Sequence, residues 1–199
     1  MMLSEDDPVP VSALPVREMR DHLRLGTGFA EDGLQDGVIE ACLRAALAAI
    51  EARIGKVLIA RGFRWSLEEW RDAVAQALPV APVRAVASVT LIDADGGTVV
   101  VDPVVYRLVA DTHRPKLAAR GGSLPAVPGA GRIEVAFSAG FGPVWSDVPP
   151  DLRQAVLMLA TEYYEHRSEM GLREQGLPFG IMALIERWRT VRVLGGGAA

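Results

Sequence analysis

Apolar positions recur with a helical period at both ends of this chain and with a strand period in its middle. Ile39, Leu43, Ala46, Leu47, Ile50 and Ile54 follow three- and four-residue steps, the spacing of a helix that buries one face. They predict a helix over 34–54, with Gly55 as its stop. Val16, Met19 and Leu23 form a shorter stripe, predicting a helix over 16–25 that ends before Gly26. A third helix is expected over 150–170. Pro150 suits its first turn and Asp151 complements the positive end of the helix dipole. Leu152, Val156, Leu159 and Tyr163 make one face, yet Ala155 to Ala160 is apolar almost all round. Such a helix is deeply buried or lies at an interface. Beyond Pro178 a short helix is expected over 179–188.

Between these helices, residues 57–143 read as a strand-rich insertion. Val57 to Trp70 holds β-prone runs, and Pro79 and Pro82 mark an edge or connector, since proline donates nothing to a ladder. Val83 to Ile92 reads as a strand, Asp93-Ala94-Asp95-Gly96-Gly97 as a turn, and Thr98 to Val101 as the returning strand of a hairpin. Val104 to Ala110 and Arg132 to Ser138 are further strands, the latter alternating at Ile133, Val135 and Phe137. Residues 111–131, rich in Gly and Pro, read as loop. Residues 1–14 read as a flexible arm. Thr190 to Leu194 is β-prone and precedes Gly195-Gly196-Gly197, which makes 189–199 a C-terminal tail. The expected fold is α+β: one domain over 15–188, mainly a helical bundle, with a β-hairpin or small sheet inserted between its N-terminal and C-terminal helices.

Composition narrows the function classes. The 199 residues suit one domain, half of them hydrophobic, with a formal net charge of -4. That balance argues against a general nucleic-acid binder, which shows a basic face. Cys42 is the one cysteine, so no intrachain disulfide forms and a reducing compartment is compatible. Met1 to Pro10 is acidic and lacks an apolar signal core. No apolar run reaches the roughly 20 residues that span a bilayer. A soluble protein made in the cytoplasm, with no membrane partner, is expected.

The densest chemical cluster is Glu162-Tyr163-Tyr164-Glu165-His166-Arg167. Glu162 and His166 stand one helical turn apart and, with Glu165, suggest a metal-dependent hydrolase as the enzymatic alternative. Di-metal bundles use Glu-x-x-His on two helices, and zincins use His-Glu-x-x-His. Here the spacing is Glu-x-x-x-His and it occurs once. Ion pairs along a solvated or intersubunit helix face are the simpler reading. Asp93-x-Asp95-Gly96 hints at a calcium loop, but Val104 stands where the closing Glu belongs. No phosphate-binding loop and no Gly-x-Ser-x-Gly elbow is present. The expectation is a protein that is not an enzyme, with no catalytic residues, cofactor or metal. A monomeric assembly accessory protein is a further alternative.

Val16-Arg17-Glu18-Met19-Arg20-Asp21-His22-Leu23-Arg24, Glu51-Ala52-Arg53-Ile54-Gly55, Leu78-Pro79, Pro82-Val83 and Val86-Ala87-Ser88-Val89-Thr90-Leu91-Ile92-Asp93 follow one another along the chain. Phe137-Ser138-Ala139-Gly140-Phe141-Gly142, Val148-Pro149-Pro150-Asp151-Leu152-Arg153-Gln154-Ala155, Glu162 to Arg167 and Leu177-Pro178-Phe179-Gly180 complete the series. In this order and spacing, from about Pro15 to Arg189, the chain resembles the head–tail connector (adaptor) family of long-tailed bacteriophages and phage-derived gene transfer agents. The resemblance implies a homo-oligomeric ring, commonly of about twelve subunits, below the portal protein of the capsid. Such a ring extends the DNA channel and receives a downstream neck, stopper or tail protein. Double-stranded DNA passes without specific binding, which net acidity suits. The protein is then expected in the bacterial cytoplasm during assembly and in the particle neck when mature. The family has no catalytic residues to carry over.

A ring built from one repeated heterologous contact needs two different faces per subunit. Val156, Leu159, Tyr163, Tyr164 and Arg167 are the expected ring contacts. Trp188, Arg189, Val191, Arg192, Val193 and Leu194 are the expected portal or partner strip, combining interface-type residues with a strand able to extend a neighbour's sheet. The alternative place for Trp188 is the protein's own core.

Overall fold

The computed structural model describes residues 1–23, 35–167 and 176–189. In chain order its elements are β1 (Met2–Glu5), α1 (Val16–His22), α2 (Asp36–Ile54), β2 (Arg61–Leu67), β3 (Ala75–Ala77), β4 (Val83–Ile92) and β5 (Thr98–Val100). They continue with β6 (Tyr106–Val109), β7 (Lys116–Ala119), β8 (Arg132–Ala139), α3 (Pro150–Glu165) and α4 (Phe179–Ile185).

The helices share one core. On α2 the predicted stripe is the buried one, and Cys42 joins it. Gly55 ends the helix in the left-handed conformation (φ 66°), its N–H donating to Glu51 O at 2.8 Å. α2 packs on α3, α1 contacts both, and α4 packs on α3. Met19, Leu43, Ile50, Leu152, Val156 and Ile181 meet there. Trp145 donates its indole N–H to Glu18 at 2.8 Å, fixing α1 to the turn that precedes α3.

The strands build a second core. Five form an antiparallel sheet in the order β1-β2-β8-β4-β5, and three more form the sheet β3-β7-β6. Central β8 buries Ile133, Val135, Phe137 and Ala139 in strict alternation, as a strand with one face on a core must. Its neighbour β2 matches it in register, Phe63 opposite Phe137 and Trp65 opposite Val135. The two Phe rings stack with centroids 5.6 Å apart. Just after β8, Gly140 (φ 134°) presses on the backbone of Ala60, where a Cβ would collide.

Arg61 joins the two layers. Its side chain, 9% exposed, lies 2.7 Å from Glu51 of α2 and 2.8 Å from Glu5 of β1. Glu51 also accepts the Leu58 N–H at 2.7 Å. Burial opposes the guanidinium charge, but the hydrogen bonds and charges of Glu51 and Glu5 outweigh it and hold its pKa above the ordinary value.

The α+β class stands, but a mainly helical bundle does not: eight strands in two sheets stand beside four α-helices among the described residues. The insertion holds enough alternating apolar residues to build its own core, so it is no small appendage. Residues 1–14, expected as a flexible arm, instead supply β1, paired with β2 from Met2↔Ser66 to Glu5↔Phe63, and bury Ala13 and Leu14. Within 111–131, expected as loop, Lys116–Ala119 forms β7 because Leu117 and Ala118 are buried against the second core. The start of the strand expected at Val104 is a 3₁₀ turn, Pro103–Val105, capped by Asp102 accepting the Val104 N–H. A similar turn, Glu186–Trp188, finishes the last helix. The helix ends expected at 25, 34 and 170 lie outside the described residues.

Candidate assembly interface

α3 begins as its sequence requires, with Pro150 in the first turn. Asp151 there accepts the Trp188 indole N–H at 2.8 Å and pairs with Arg187 Nε at 2.8 Å. Trp188 is half-buried, edge-on to Phe141 with ring centroids 5.3 Å apart, while Arg187 lies over its ring. Trp188 therefore closes the protein's own helical core. Arg189 is exposed and grips Glu186 at 3.0 and 3.1 Å. Val191, Arg192, Val193 and Leu194 lie outside the described residues.

The expected ring-contact residues divide. Val156 (0% exposed) and Leu159 (2%) are inside, because α4 returns over α3 and brings Ile181 and Ile185 against it. They present nothing to a neighbour in this conformation. Tyr163 is half-buried, and burial pushes its phenol pKa up. Tyr164 donates its hydroxyl to Gln35 before α2, and Arg167 stacks over the Tyr164 ring while donating to its carbonyl. Tyr164 and Arg167 thus mark the reachable end of α3.

The residues of the hydrolase alternative bring together one pair, Glu162 and His166, one helical turn apart. His166 Nδ1 lies 3.5 Å from Glu162 Oε1, while Glu165 is exposed. Among the described residues no three His, Cys, Asp or Glu side chains come together as metal ligands. An open groove between Trp70 and Ala130 is lined by Glu68, Glu69 and Ser123 and by no His, Cys or Lys. No described helix is long and apolar enough to cross a membrane.

The sequence reading missed the edges of the large sheet. Met2 (67% exposed) stands on β1, and Val99 (64%) and Val100 (68%) on β5, with Val104 (66%) just beyond. The signal was present: Val99 to Val101 is an apolar run without the polar alternate that a half-buried strand carries.

No protein-family model matches the chain, and no curated protein does. Solved structures do. A chain in the neck of an empty gene transfer agent particle, computed with C6 symmetry, is 54% identical, with a TM-score of 0.88, over 98% of this chain and 99% of that one. A chain in the virion of a native gene transfer agent particle matches over the same shares at 54% identity and a TM-score of 0.87. One in the neck of a native particle computed with C12 symmetry is 50% identical, with a TM-score of 0.83, again over 98% and 99%. At that identity over the full length, this chain belongs to the family of neck proteins of gene transfer agent particles, structural components of a phage-like virion.

Proposed function

We propose that this protein is the head–tail adaptor of such a particle: a twelve-subunit ring below the capsid portal that extends the DNA channel and joins the head to the next neck or tail component. The observation that carries the reading is the 50% identity, over 98% of the chain, with a chain in a neck computed with C12 symmetry. The net charge of -4 suits a channel lining that DNA slides past. In this reading the subunit waits in the bacterial cytoplasm and joins the neck on maturation. Arg189 with Val191, Arg192, Val193 and Leu194 forms the portal strip, and Tyr164 with Arg167 faces a neighbour at the end of α3.

Cryo-electron microscopy of particles carrying a tagged copy tests this. The tag is expected at twelve positions between portal and tail, and a strain lacking the protein is expected to make filled heads without tails. Tailed particles from that strain, or a tag elsewhere in the particle, would overturn the adaptor role.

A further inference from the structure

The five-stranded sheet has two open edges, β1 at one end and β5 at the other. Each is unusual for a protein that stays alone. Neighbouring side chains on a strand point to opposite faces, so the exposure of both Val99 and Val100 leaves β5 uncovered on either face as well as along its edge. No charge interrupts Thr98-Val99-Val100. β1 exposes Met2 (67%) and Leu3 (37%). Its one charge, Glu5, stands at the end of the strand and is paired with Arg61. Sheet edges in monomeric proteins are normally blunted by charge, proline or a covering segment, because an open apolar edge recruits another strand.

The two edges differ in sequence, which decides the kind of partner. A twofold dimer buries the same patch on both copies, whereas a ring buries two different patches. Neck relatives occur in assemblies computed with C6 and C12 symmetry, which sets rotated copies around one axis. One sheet with two unlike open edges supplies such a head-to-tail contact. Resting on the ring reading above, we propose that β5 of one subunit pairs with β1 of the next. The five-stranded sheets then continue from subunit to subunit, with Met2 and Leu3 of one copy covering Val99 and Val100 of its neighbour. Strands of four and three residues make few ladder hydrogen bonds, so a single contact is weak. Strength comes from closing the ring on a template, where each joint raises the effective concentration at the next.

The test uses full-length chains assembled into particles. A panel of double-cysteine variants takes one residue from Met2, Leu3 or Ser4 and one from Thr98, Val99 or Val100. After mild oxidation at least one pair is expected to give a ladder of covalent multimers, and the single variants none. Absence of a ladder from every pair, in particles whose neck contains the chain, overturns the contact. Mass spectrometry of the particles reads the ring assumption separately: if the chain is missing from the neck, the ring reading itself falls, and this contact with it. In a second arm, V99K with V100K is expected to lower tailed-particle yield at least tenfold while the purified subunit unfolds at an unchanged temperature. Normal yield from that variant and from M2K with L3K would also overturn the pairing.

Discussion

Trp188 and Asp151 are joined by a 2.8 Å hydrogen bond that fastens the last described turn of the chain to the first turn of α3. The indole meets Phe141 edge to face, so a residue with the makings of an interface anchor covers the helical core instead.

Asp151→Ala removes this acceptor and a carboxylate at a helix N-terminus. The expected loss is about 1–2 kcal/mol of stability, read from urea denaturation. Arg187→Ala is expected to cost far less, although Arg187 also contacts Asp151, because its side chain is 68% exposed. Equal losses from the two variants would contradict the assignment.

Arg61→Met leaves Glu51 with a side chain only 13% exposed and without its cation. Breaking a buried pair from one side costs about 3–5 kcal/mol, so this variant is expected near that range. The double variant R61M with E51M is expected to recover part of it. A double-mutant cycle in guanidinium chloride measures both.

Cys42 offers a pH readout. Burial raises its thiol pKa, and the Arg167 charge offsets this in part. A raised folded pKa means the native state holds the proton more tightly, so the contribution is complete below the ordinary thiol value. It is lost as pH climbs from that value through the raised one. Stability is expected to fall over that alkaline window in the parent and to fall less in Cys42→Ala. Thiol labelling of the native protein is expected to be slow at neutral pH and fast in denaturant.

Deletion of 190–199 tests the portal strip. The shortened chain is expected to keep its unfolding temperature, since the described core ends at Trp188, while tailed particles disappear. Normal tailed particles from that strain would sink the assignment of Val191 to Leu194.

The parts of the fold that carry a period were legible in advance. The stripe from Ile39 to Ile54 marks α2, and the run Val83 to Ile92 is β4 end to end. β1 carries no such signal: all four of its residues are exposed, and a place beside β2 decides its pairing rather than propensity. β7 is too short to show alternation between its flanking glycines and prolines. For α3, periodicity reports two apolar sides but not what covers the second. Val156 and Leu159 meet α4 of the same chain, a contact that depends on how the chain turns back after Pro178. For the sheet edges, Val99 and Val100 carry a local sign on β5, whereas β1 carries none, since strand order depends on pairing across the whole chain.

The helical core draws on residues from Ala13 to Ile59 and from Trp145 to Ile185, with every strand but β1 between them. During synthesis, α2 leaves the ribosome long before the helix that will cover it has been translated. The sheet can complete its own centre once β8 is out, but the helical layer waits for nearly the whole message. A product cut short before α3 would hold the strands and an uncovered α2. Interrupted translation therefore yields fragments in which α2 lacks the helix that covers it.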